Sequence, residues 1–305
     1  MRTDFFYDSC GVGKIHGCCW WPEGTPKAVV QIVHGIAEYA YRYARFAECL
    51  NAHGYLVVAE DHPGHGLTRQ RDGAKGYFGG GWFGAIDNLL ALKHAIQEEY
   101  PDVPYVFYGH SMGSFMVRTL LAYKPECELA GCVICGTGWL PEIVVNAGRA
   151  IAVQACKRMG EKIPNAKLQA LMFSGYNKKV ERPRTEYDWL SRDASLVDAY
   201  VEDPLCGFTV SSGLLRDMLT GIRFIQNKDN LKKMNTKIPV FFVAGGDDPV
   251  GDYGKGVRKA AAKFEEVGMQ NVSCKIYPLC RHEILNEINQ EEVFDDVLEW
   301  LESIL

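Results

Sequence analysis

Short runs of β-branched and aromatic residues recur along the chain, each bounded by glycine, proline or aspartate, and they predict buried strands. These runs occupy residues 28–33, 55–59, 105–108, 132–135, 240–244 and 272–277. Stretches with the apolar spacing of helices lie between several of them, at residues 42–53, 83–100, 112–123, 253–267 and 291–305. Because strands and helices alternate, the sequence predicts an α/β protein with a mostly parallel central sheet flanked by helices. Two earlier runs, at residues 4–7 and 15–20, predict an antiparallel edge.

The alternation stops after the sixth predicted strand. Beyond it the sequence has no convincing strand for a long stretch, and its helical patterns lie at residues 142–159, 165–173 and 212–224. We therefore expect a core made of residues 1–138 and 223–305, with residues 139–222 inserted as a helical cap. Ligands of open α/β sheets bind beyond the carboxyl ends of the strands, so functional residues are expected just after each strand.

One such segment is Gly109-His-Ser-Met-Gly113, which directly follows a predicted strand and precedes a predicted helix. Strand, sharp turn and helix form the context that a G-x-S-x-G nucleophile elbow requires. The glycines leave room for a tight turn, and Ser111 would project from the top of the sheet as a nucleophile. The alternative is a chance glycine turn with a buried serine.

A serine hydroxyl becomes a good nucleophile when a general base takes its proton and a carboxylate orients that base. In proteins with a nucleophile elbow both groups follow the serine, first the acid and then the histidine. Asp247 and Asp248 come directly after a predicted strand, and His282 comes shortly after the last one. The residues alone leave the choice between the two aspartates open. The alternatives are a turn before Pro249 for the aspartates and an ordinary loop position for the histidine.

Acyl transfer also requires hydrogen-bond donors aimed at the oxygen that becomes negatively charged. The backbone N–H of Met112, the residue after the serine, is one candidate. The other is the N–H of Ile36, in the loop after the strand at 28–33, where Gly35 allows close approach of the backbone. The alternative for this loop is a plain turn that ends the strand.

These motifs resemble those of the α/β-hydrolase superfamily and, within it, the monoacylglycerol lipase and lysophospholipase group. The matching segments follow the order found in that group and span nearly the whole predicted core: His34-Gly-Ile-Ala-Glu-Tyr-Ala-Tyr-Arg-Tyr43, Asp61-His-Pro-Gly-His-Gly66, Gly109-His-Ser-Met-Gly113, Asp248-Pro-Val and His282-Glu. Two positions differ: Tyr39 stands where the group often has histidine, and Thr68 where it commonly has serine.

The resemblance implies Ser111 as the nucleophile, Asp248 as the acid and His282 as the base. It also implies an oxyanion hole made by the N–H groups of Ile36 and Met112, and a helical cap over an acyl-chain tunnel. It does not indicate which cap residues bind the substrate. The apolar cap residues that could contact an acyl chain, or press against a membrane surface, are Ile143, Val144, Val145, Ile151, Val153, Leu168, Leu171, Met172 and Phe173. The alternative is that they bury the cap against its own core.

Composition and charge indicate which classes of partner and which cellular compartment to expect. With 33 basic and 38 acidic residues the net charge is −5, and the charges are interspersed, so no nucleic-acid partner is expected. Eleven cysteines cannot all pair, and several lie in apolar runs, which favours free thiols in a reducing compartment. The amino terminus lacks the apolar stretch of a secretory signal, and no run reaches the length of a membrane span. We therefore expect a cytoplasmic protein.

No cofactor and no metal are expected. Residues 79–84 satisfy G-x-G-x-x-G, but no predicted strand leads into them, as dinucleotide binding would require. Cys132 and Cys135 have redox spacing but fall within one predicted strand, where alternation places them on opposite faces. Four histidines near the motifs have no carboxylate or cysteine partner at the spacing of metal ligands: His34, His62, His65 and His110.

The leading hypothesis is a serine hydrolase that cleaves carboxylic esters of lipid-like substrates, such as monoacylglycerols or lysophospholipids, through an acyl-enzyme. One alternative is a small-ester, amide or peptide hydrolase on the same scaffold, since a fold does not determine a function. Another is a ligand-binding protein that keeps the pocket and has little turnover. The sequence does not indicate the acyl chain length, the head group or the oligomeric state.

Overall fold

The computed structural model describes residues 1–9, 11, 13–68 and 75–305, and it is organised around one sheet of eight strands. The strands are β1 (Arg2–Asp8), β2 (Lys14–Trp20), β3 (Val29–Val33), β4 (Leu56–Glu60), β5 (Tyr105–His110), β6 (Gly131–Cys135), β7 (Val240–Gly245) and β8 (Val272–Tyr277). Every strand predicted from the apolar runs is present, with small differences at the ends.

The order of the strands across the sheet is β1-β2-β4-β3-β5-β6-β7-β8. The pairs β1–β2 and β2–β4 are antiparallel, and all other neighbours are parallel. This confirms the mostly parallel sheet with an antiparallel edge. The carboxyl ends of β3, β5, β6, β7 and β8 therefore meet along one edge of the sheet, where ligands of such folds bind.

Ten helices that lie wholly within the described residues accompany the strands, together with three short 3-10 helices at Ala40–Tyr43, Tyr176–Lys179 and Ile284–Asn286. The helices are α1 (Ala44–Ala52), α2 (Gly81–Glu99), α3 (Met112–Tyr123), α4 (Glu142–Met159), α5 (Ala166–Phe173), α6 (Ala194–Glu202), α7 (Ser212–Ile225), α8 (Lys228–Leu231), α9 (Lys255–Glu266) and α10 (Gln290–Ile304). Within the described ranges, none of them combines the length and the apolar character needed to cross a membrane.

The central strands are buried on both faces because helices cover the sheet from both sides. Phe107 of β5 faces an apolar layer that contains residues of α2 and α3, and the next residue, Tyr108, faces a layer that contains residues of α1 and α10. Cys132 and Cys135 of β6 also lie in different layers, as alternation along a strand predicts. The sheet thus separates two apolar cores.

Helices α4 to α8 lie between β6 and β7, so a helical segment is inserted after the sixth strand, as predicted. Helix α6 was not predicted, although Asp193 is a helix start signal: its carboxylate accepts hydrogen bonds from the N–H groups of Ser195 and Leu196. The expected boundary at residue 222 falls inside α7, which packs against α4 and also against α2 and α3. The division of the chain into core and cap at residues 138 and 222 stays a prediction.

Candidate active site

Ser111 occupies the turn between β5 and α3. Its backbone has φ 53° and ψ −118°, a left-handed φ that is uncommon for a residue with a side chain. Gly113 makes the close approach of α3 to the sheet possible, because a Cβ atom at this position would lie 1.9 Å from the carbonyl oxygen of Val33. The N–H of Ser111 donates to the carbonyl of Cys135, at the end of β6, at 3.0 Å. The segment therefore has the strand, sharp turn and helix that the sequence predicts.

Asp248 and His282 are hydrogen-bonded to each other beyond the ends of β7 and β8. Nδ1 of His282 lies 2.9 Å from Oδ2 of Asp248, and the exposed fractions of the two side chains are 2% and 0%. The other carboxylate oxygen of Asp248 accepts the N–H of Val250 at 2.8 Å. Asp247 is exposed, and its N–H donates to the carbonyl of Cys280. Of the two candidate aspartates, Asp248 is the one beside the histidine.

Burial and charge act against each other on the imidazole of His282. Burial alone would lower its pKa, but the carboxylate of Asp248 stabilises the protonated ring and raises the pKa above its ordinary value. The ring centroid of His110 lies 4.6 Å from that of His282, and burial together with this neighbour holds the pKa of His110 well below its ordinary value. The site can therefore support a positive charge on His282 while His110 stays neutral.

Ser111 and His282 line one cavity with a volume of about 740 Å³. Nε2 of His282 is buried and makes no hydrogen bond with any residue in the described part of the chain. When a carboxylate holds Nδ1, Nε2 is the atom that takes the proton from a catalytic serine. Contacts of this kind are often long before substrate binds and tighten in the reacting complex.

The loop after β3 brings Ile36 beside the serine. A Cβ atom at Gly35 would lie 3.2 Å from the Cβ atom of Ser111, so this loop touches the nucleophile turn, and Ile36 lines the cavity. The N–H groups of Ile36 and Met112 donate to no acceptor among the residues that the structure describes. Two unpaired backbone donors beside Ser111 suit an oxygen that becomes negatively charged, and the amino end of α3 adds the positive end of a helix dipole.

A buried ion network holds this loop and connects it to the histidine. One carboxylate oxygen of Glu38 accepts the N–H of Gly35 at 2.6 Å, and the other accepts a hydrogen bond from Arg42 at 2.7 Å. Arg42 also donates to both carboxylate oxygens of Glu283, at 2.6 and 2.7 Å. Burial alone would raise the pKa of Glu283, but Arg42 outweighs it and lowers the pKa to about 2. Glu283 directly follows His282, so the network links the two loops; sequence reasoning assigned no role to it.

Phe173 alone, among the nine apolar cap residues considered above, lines the cavity. Val145 and Leu168 are buried in the apolar core, whereas Ile143 and Leu171 are exposed to solvent. The polar and aromatic residues of the inserted segment that line the cavity, and that sequence reasoning missed, are Gln169, Ser174, Tyr176, Asn177, Glu186, Tyr187, Trp189, Tyr200 and Thr209. Five of these nine lie in irregular segments between α5 and α7, and two more lie in a short 3-10 helix, so no periodic pattern marks them.

Tyr39 and Thr68, the two positions that differ from the monoacylglycerol lipase and lysophospholipase group, are not among the described residues that line the cavity. Tyr39 donates from its hydroxyl to the carboxylate of Asp203, in the inserted segment, at 2.8 Å. Thr68 is fully buried, and its hydroxyl donates to the carbonyl of Asp61 and accepts the N–H of His16, both at 2.8 Å. Tyr39 therefore joins the loop after β3 to the inserted helices, whereas Thr68 supports the packing beneath the site.

Three buried histidines lie close together behind the loop after β3. The ring centroids of His34 and His62 are 3.9 Å apart, and those of His34 and His65 are 5.3 Å apart. Nε2 of His34 accepts the N–H of His62, and Nδ1 of His65 lies 3.1 Å from the carbonyl of Pro63. Across the ranges that the structure covers, no group of three or more His, Cys, Asp or Glu side chains could hold a metal ion.

Eight strands in this order, a serine on a sharp turn after β5, and an aspartate and a histidine after β7 and β8 define the α/β-hydrolase class. The chain belongs to the family described as Serine aminopeptidase, S33, whose model matches residues 24–289. The matched range includes Ile36, Ser111, Asp248 and His282.

The chain is similar to several proteins over nearly its whole length. It is 28% identical to the monoacylglycerol lipase of Mycolicibacterium smegmatis, over 100% of this chain and 98% of that protein. It is also 28% identical to the monoglyceride lipase of Homo sapiens, over 95% of this chain and 87% of that protein. Among solved structures, a highly thermostable carboxyl esterase from Bacillus coagulans in complex with glycerol matches with a TM-score of 0.92 and 29% identity, over 99% of this chain and 98% of that chain.

Proposed function

We propose that this chain is a serine hydrolase that cleaves carboxylic esters of lipid-like substrates through an acyl-enzyme. One observation carries the proposal: Ser111 and His282 line the same cavity, while Asp248 is bonded to Nδ1 of His282. A nucleophile, a base and an orienting acid are what nucleophilic catalysis by serine requires. The unpaired N–H groups of Ile36 and Met112, among the described residues, add a site for the oxyanion.

In the proposed reaction, Nε2 of His282 takes the proton of Ser111 as Oγ attacks the carbonyl carbon of the ester. The carbonyl oxygen becomes negatively charged and accepts hydrogen bonds from the N–H groups of Ile36 and Met112. The bond to the alcohol oxygen then breaks, and His282 gives its proton to the leaving alcohol. A water molecule, deprotonated by His282 in the same way, attacks the acyl-enzyme and releases the carboxylic acid and Ser111.

Lipid esters are the substrate class that the similar proteins and the cavity favour. Those proteins are a monoacylglycerol lipase, a monoglyceride lipase and a carboxyl esterase, and the similarity extends over nearly the full length of the chain. The cavity of about 740 Å³ has the size of a small-molecule binding site, and Ile36, Phe173 and Leu190 add apolar surface to its wall. The proposal covers monoacylglycerols and lysophospholipids.

Amide or peptide cleavage is the second candidate function on the same site. The family description names an aminopeptidase, and a serine, histidine and aspartate can cleave amides as well as esters. The pocket rather than the fold decides between these substrates.

The test compares wild type with Ser111→Ala on short-chain and long-chain monoacylglycerols, a lysophospholipid and an aminoacyl amide. We expect the wild type to hydrolyse the glycerol esters, the variant to show no activity above background, and a fluorophosphonate probe to label the wild type only. A strong preference for the aminoacyl amide would reject the lipid proposal. Folded wild type that neither reacts with the probe nor turns over an ester would favour a ligand-binding protein.

We also propose that the cap contacts membrane surfaces from outside the bilayer. Ile143 and Ile151 on α4 are 78% and 49% exposed, and Lys157 and Arg158 lie in the last turn of the same helix. A helix that exposes apolar residues and also carries cationic ones favours the surface of an anionic bilayer. Co-sedimentation with anionic vesicles should decrease for Ile143→Asp and stay unchanged for Ile288→Asp, which alters a residue that is 66% exposed outside the cap. Equal binding by both variants would contradict the proposal.

We infer that the protein works in the reducing environment of the cytoplasm. The ten cysteines that the structure describes are all free thiols, and six of them are buried. Burial raises the pKa of Cys132 and of Cys135, so few thiolates form and disulfide exchange is slow. Alkylation of the protein in freshly lysed cells, followed by mass spectrometry, should find these thiols reduced. Disulfides at the described cysteines would contradict this location.

A further inference from the structure

The proposed function places an oxyanion donor, the N–H of Ile36, in residues 34–39, which we call the oxyanion loop. Ala37 in this loop has φ 55°, a left-handed conformation that residues other than glycine rarely adopt. A backbone in such a conformation persists only where the surrounding structure holds it in place. The contacts of Ala37 therefore contribute to the shape of the oxyanion loop.

These contacts come from the inserted helical segment. The carbonyl oxygen of Ala37 accepts a hydrogen bond from the hydroxyl of Tyr200 at 3.1 Å and another from the N–H of Gly207 at 2.9 Å. Two residues further along the loop, the hydroxyl of Tyr39 donates to the carboxylate of Asp203 at 2.8 Å. Residues 200–207, at and beyond the end of α6, are thus bonded to the oxyanion loop at two points.

Tyr200 is held firmly enough to fix the loop. Its side chain is 7% exposed, and the guanidinium of Arg42 lies 4.7 Å from the centroid of its ring. Arg42 in turn is bound by the carboxylates of Glu38 and Glu283. The hydroxyl of Tyr200 therefore has little freedom to leave the carbonyl of Ala37.

Ile36 lies between two fixed points of the oxyanion loop. On one side, the N–H of Gly35 is bound by Glu38 at 2.6 Å, and on the other the carbonyl of Ala37 is bound by Tyr200. The direction of the Ile36 N–H depends on both contacts, because the peptide groups between them share a short stretch of backbone. An oxyanion donor is useful only when it already points at the developing charge.

We propose that Tyr200 and Tyr39, through its bond to Asp203, are positioning residues for the oxyanion hole. The inserted helices then set the direction of the Ile36 N–H in addition to covering the cavity. This inference rests on the proposed function, since it assumes that Ile36 binds the oxyanion. Because the oxyanion exists only in the transition state and the intermediates, losing the alignment should reduce kcat and leave substrate binding nearly unchanged.

The test uses Tyr200→Phe and Tyr39→Phe, which each remove one hydroxyl and keep the ring. We expect each variant to lower kcat about tenfold and to change KM less than about twofold. This is the effect expected from the loss of one hydrogen bond that stabilises only the transition state. The affinity for an alkylboronic acid should fall by a similar factor, because its adduct with the serine is a negatively charged tetrahedral boronate that places a hydroxyl group in the oxyanion position. Because the oxyanion forms with every ester, the factor should be the same for p-nitrophenyl acetate and p-nitrophenyl decanoate.

Tyr77→Phe is the matched control. The Tyr77 hydroxyl also donates to a carboxylate of the inserted segment, that of Glu161 at 2.6 Å, but Tyr77 lies outside the oxyanion loop and outside the described lining of the cavity. We expect its kcat to stay within about twofold of wild type and its thermal unfolding to shift by as much as that of Tyr39→Phe. If the other two variants match Tyr77→Phe in kcat, the inference is wrong. A rise in KM alone, with boronic acid binding unchanged, also overturns it.

Failure of this inference can be distinguished from failure of the proposed function. Ester hydrolysis that depends on Ser111 tests the proposed function, and the ratio of variant to wild-type kcat tests the positioning role. Wild type that hydrolyses esters as fast as Ser111→Ala would overturn the proposed function and, with it, this inference. An enzyme that requires Ser111 but tolerates the loss of both tyrosine hydroxyls would overturn only the inference.

Discussion

Nδ1 of His282 and Oδ2 of Asp248 lie 2.9 Å apart, and Asp248 is fully buried. A buried carboxylate is costly unless it is hydrogen-bonded, and here the imidazole N–H and the N–H of Val250 are its partners. This arrangement decides which ring nitrogen of His282 carries the proton. Nε2 is left as the hydrogen-bond acceptor. His282 and Ser111 line the same cavity.

Asp248→Asn should lower kcat by about 10³- to 10⁴-fold, because an amide in this position stabilises the wrong tautomer of His282. Asp247→Asn is the control, since Asp247 is the preceding residue and is exposed, whereas the carboxylate bonded to His282 is that of Asp248. Its kcat should stay within about twofold of wild type. Steady-state kinetics on a single ester measures both variants, and similar losses in the two would reject Asp248 as the acid.

The raised pKa of His282 predicts the pH dependence of the reaction. Only the neutral imidazole can take a proton, so kcat/KM should rise with pH, with a midpoint above the ordinary value of 6.5. Asp248→Asn removes the charge that raises the pKa, so the midpoint of its residual activity should move to lower pH. Profiles recorded from about pH 5 to 9 test this. An identical midpoint in the variant would show that Asp248 does not control the base.

Phe173 at the end of α5 is expected to contact the acyl chain. Phe173→Ala should lower kcat/KM for a long-chain ester by about tenfold or more, because burying an apolar side chain of this size contributes roughly 1.5–3 kcal/mol. An acetate ester, which has no chain to reach this residue, should be hardly affected. Leu171→Ala, on the same helix at a position that is 60% exposed, should change neither rate. Equal losses on both esters would place Phe173 outside the acyl site.

The stability of the fold should depend on Arg42. Its side chain and those of Glu38 and Glu283 are 11%, 4% and 7% exposed. Arg42→Met leaves two buried carboxylates without a cation and should reduce the free energy of unfolding at pH 7 by about 3–5 kcal/mol. The control is Lys232→Met, because Lys232 is 56% exposed and pairs with Asp229, which is 85% exposed, an arrangement worth less than about 1 kcal/mol.

The effect of Arg42→Met should also depend on pH. In the wild type the pKa of Glu283 is about 2, below the value of 4.5 for an unperturbed side chain, so its stabilising contribution is complete above pH 4.5 and is lost as the pH falls towards 2. In the variant the buried carboxylates are instead stabilised by protonation. The difference in unfolding free energy should therefore shrink on acidification, as urea titrations at several pH values would measure. A difference that grows as the pH falls would contradict this account.

The fold was largely predictable because each strand is a short apolar run with clear boundaries. Helix α6 was missed because its nine residues provide only about two turns of pattern, and it follows an irregular segment. The start signal at Asp193 was present, but one capping residue does not predict a helix without a longer apolar period.

The candidate site was predictable where its residues follow strand ends and not elsewhere. Ser111 and His282 each lie just beyond a strand of a sheet whose order brings those ends together. Arg42 and Glu283 are 241 residues apart, and no local pattern indicates that they pair. Hydrophobicity alone could not show which apolar cap residues line the cavity, because that depends on tertiary packing. Ile143 is exposed to solvent, whereas Phe173 lines the cavity.

The left-handed backbone at Ser111 has a cost in conformational stability, because a residue with a hydroxyl occupies a position that favours glycine. Glycine would hold the same turn without the steric cost of a Cβ atom, which is on the order of 1 kcal/mol, but it has no hydroxyl. If Ser111 is the nucleophile, as proposed, variants selected only for heat resistance should therefore replace it with glycine and lose activity. On that proposal, part of the free energy of unfolding is given up to keep the Ser111 hydroxyl in place.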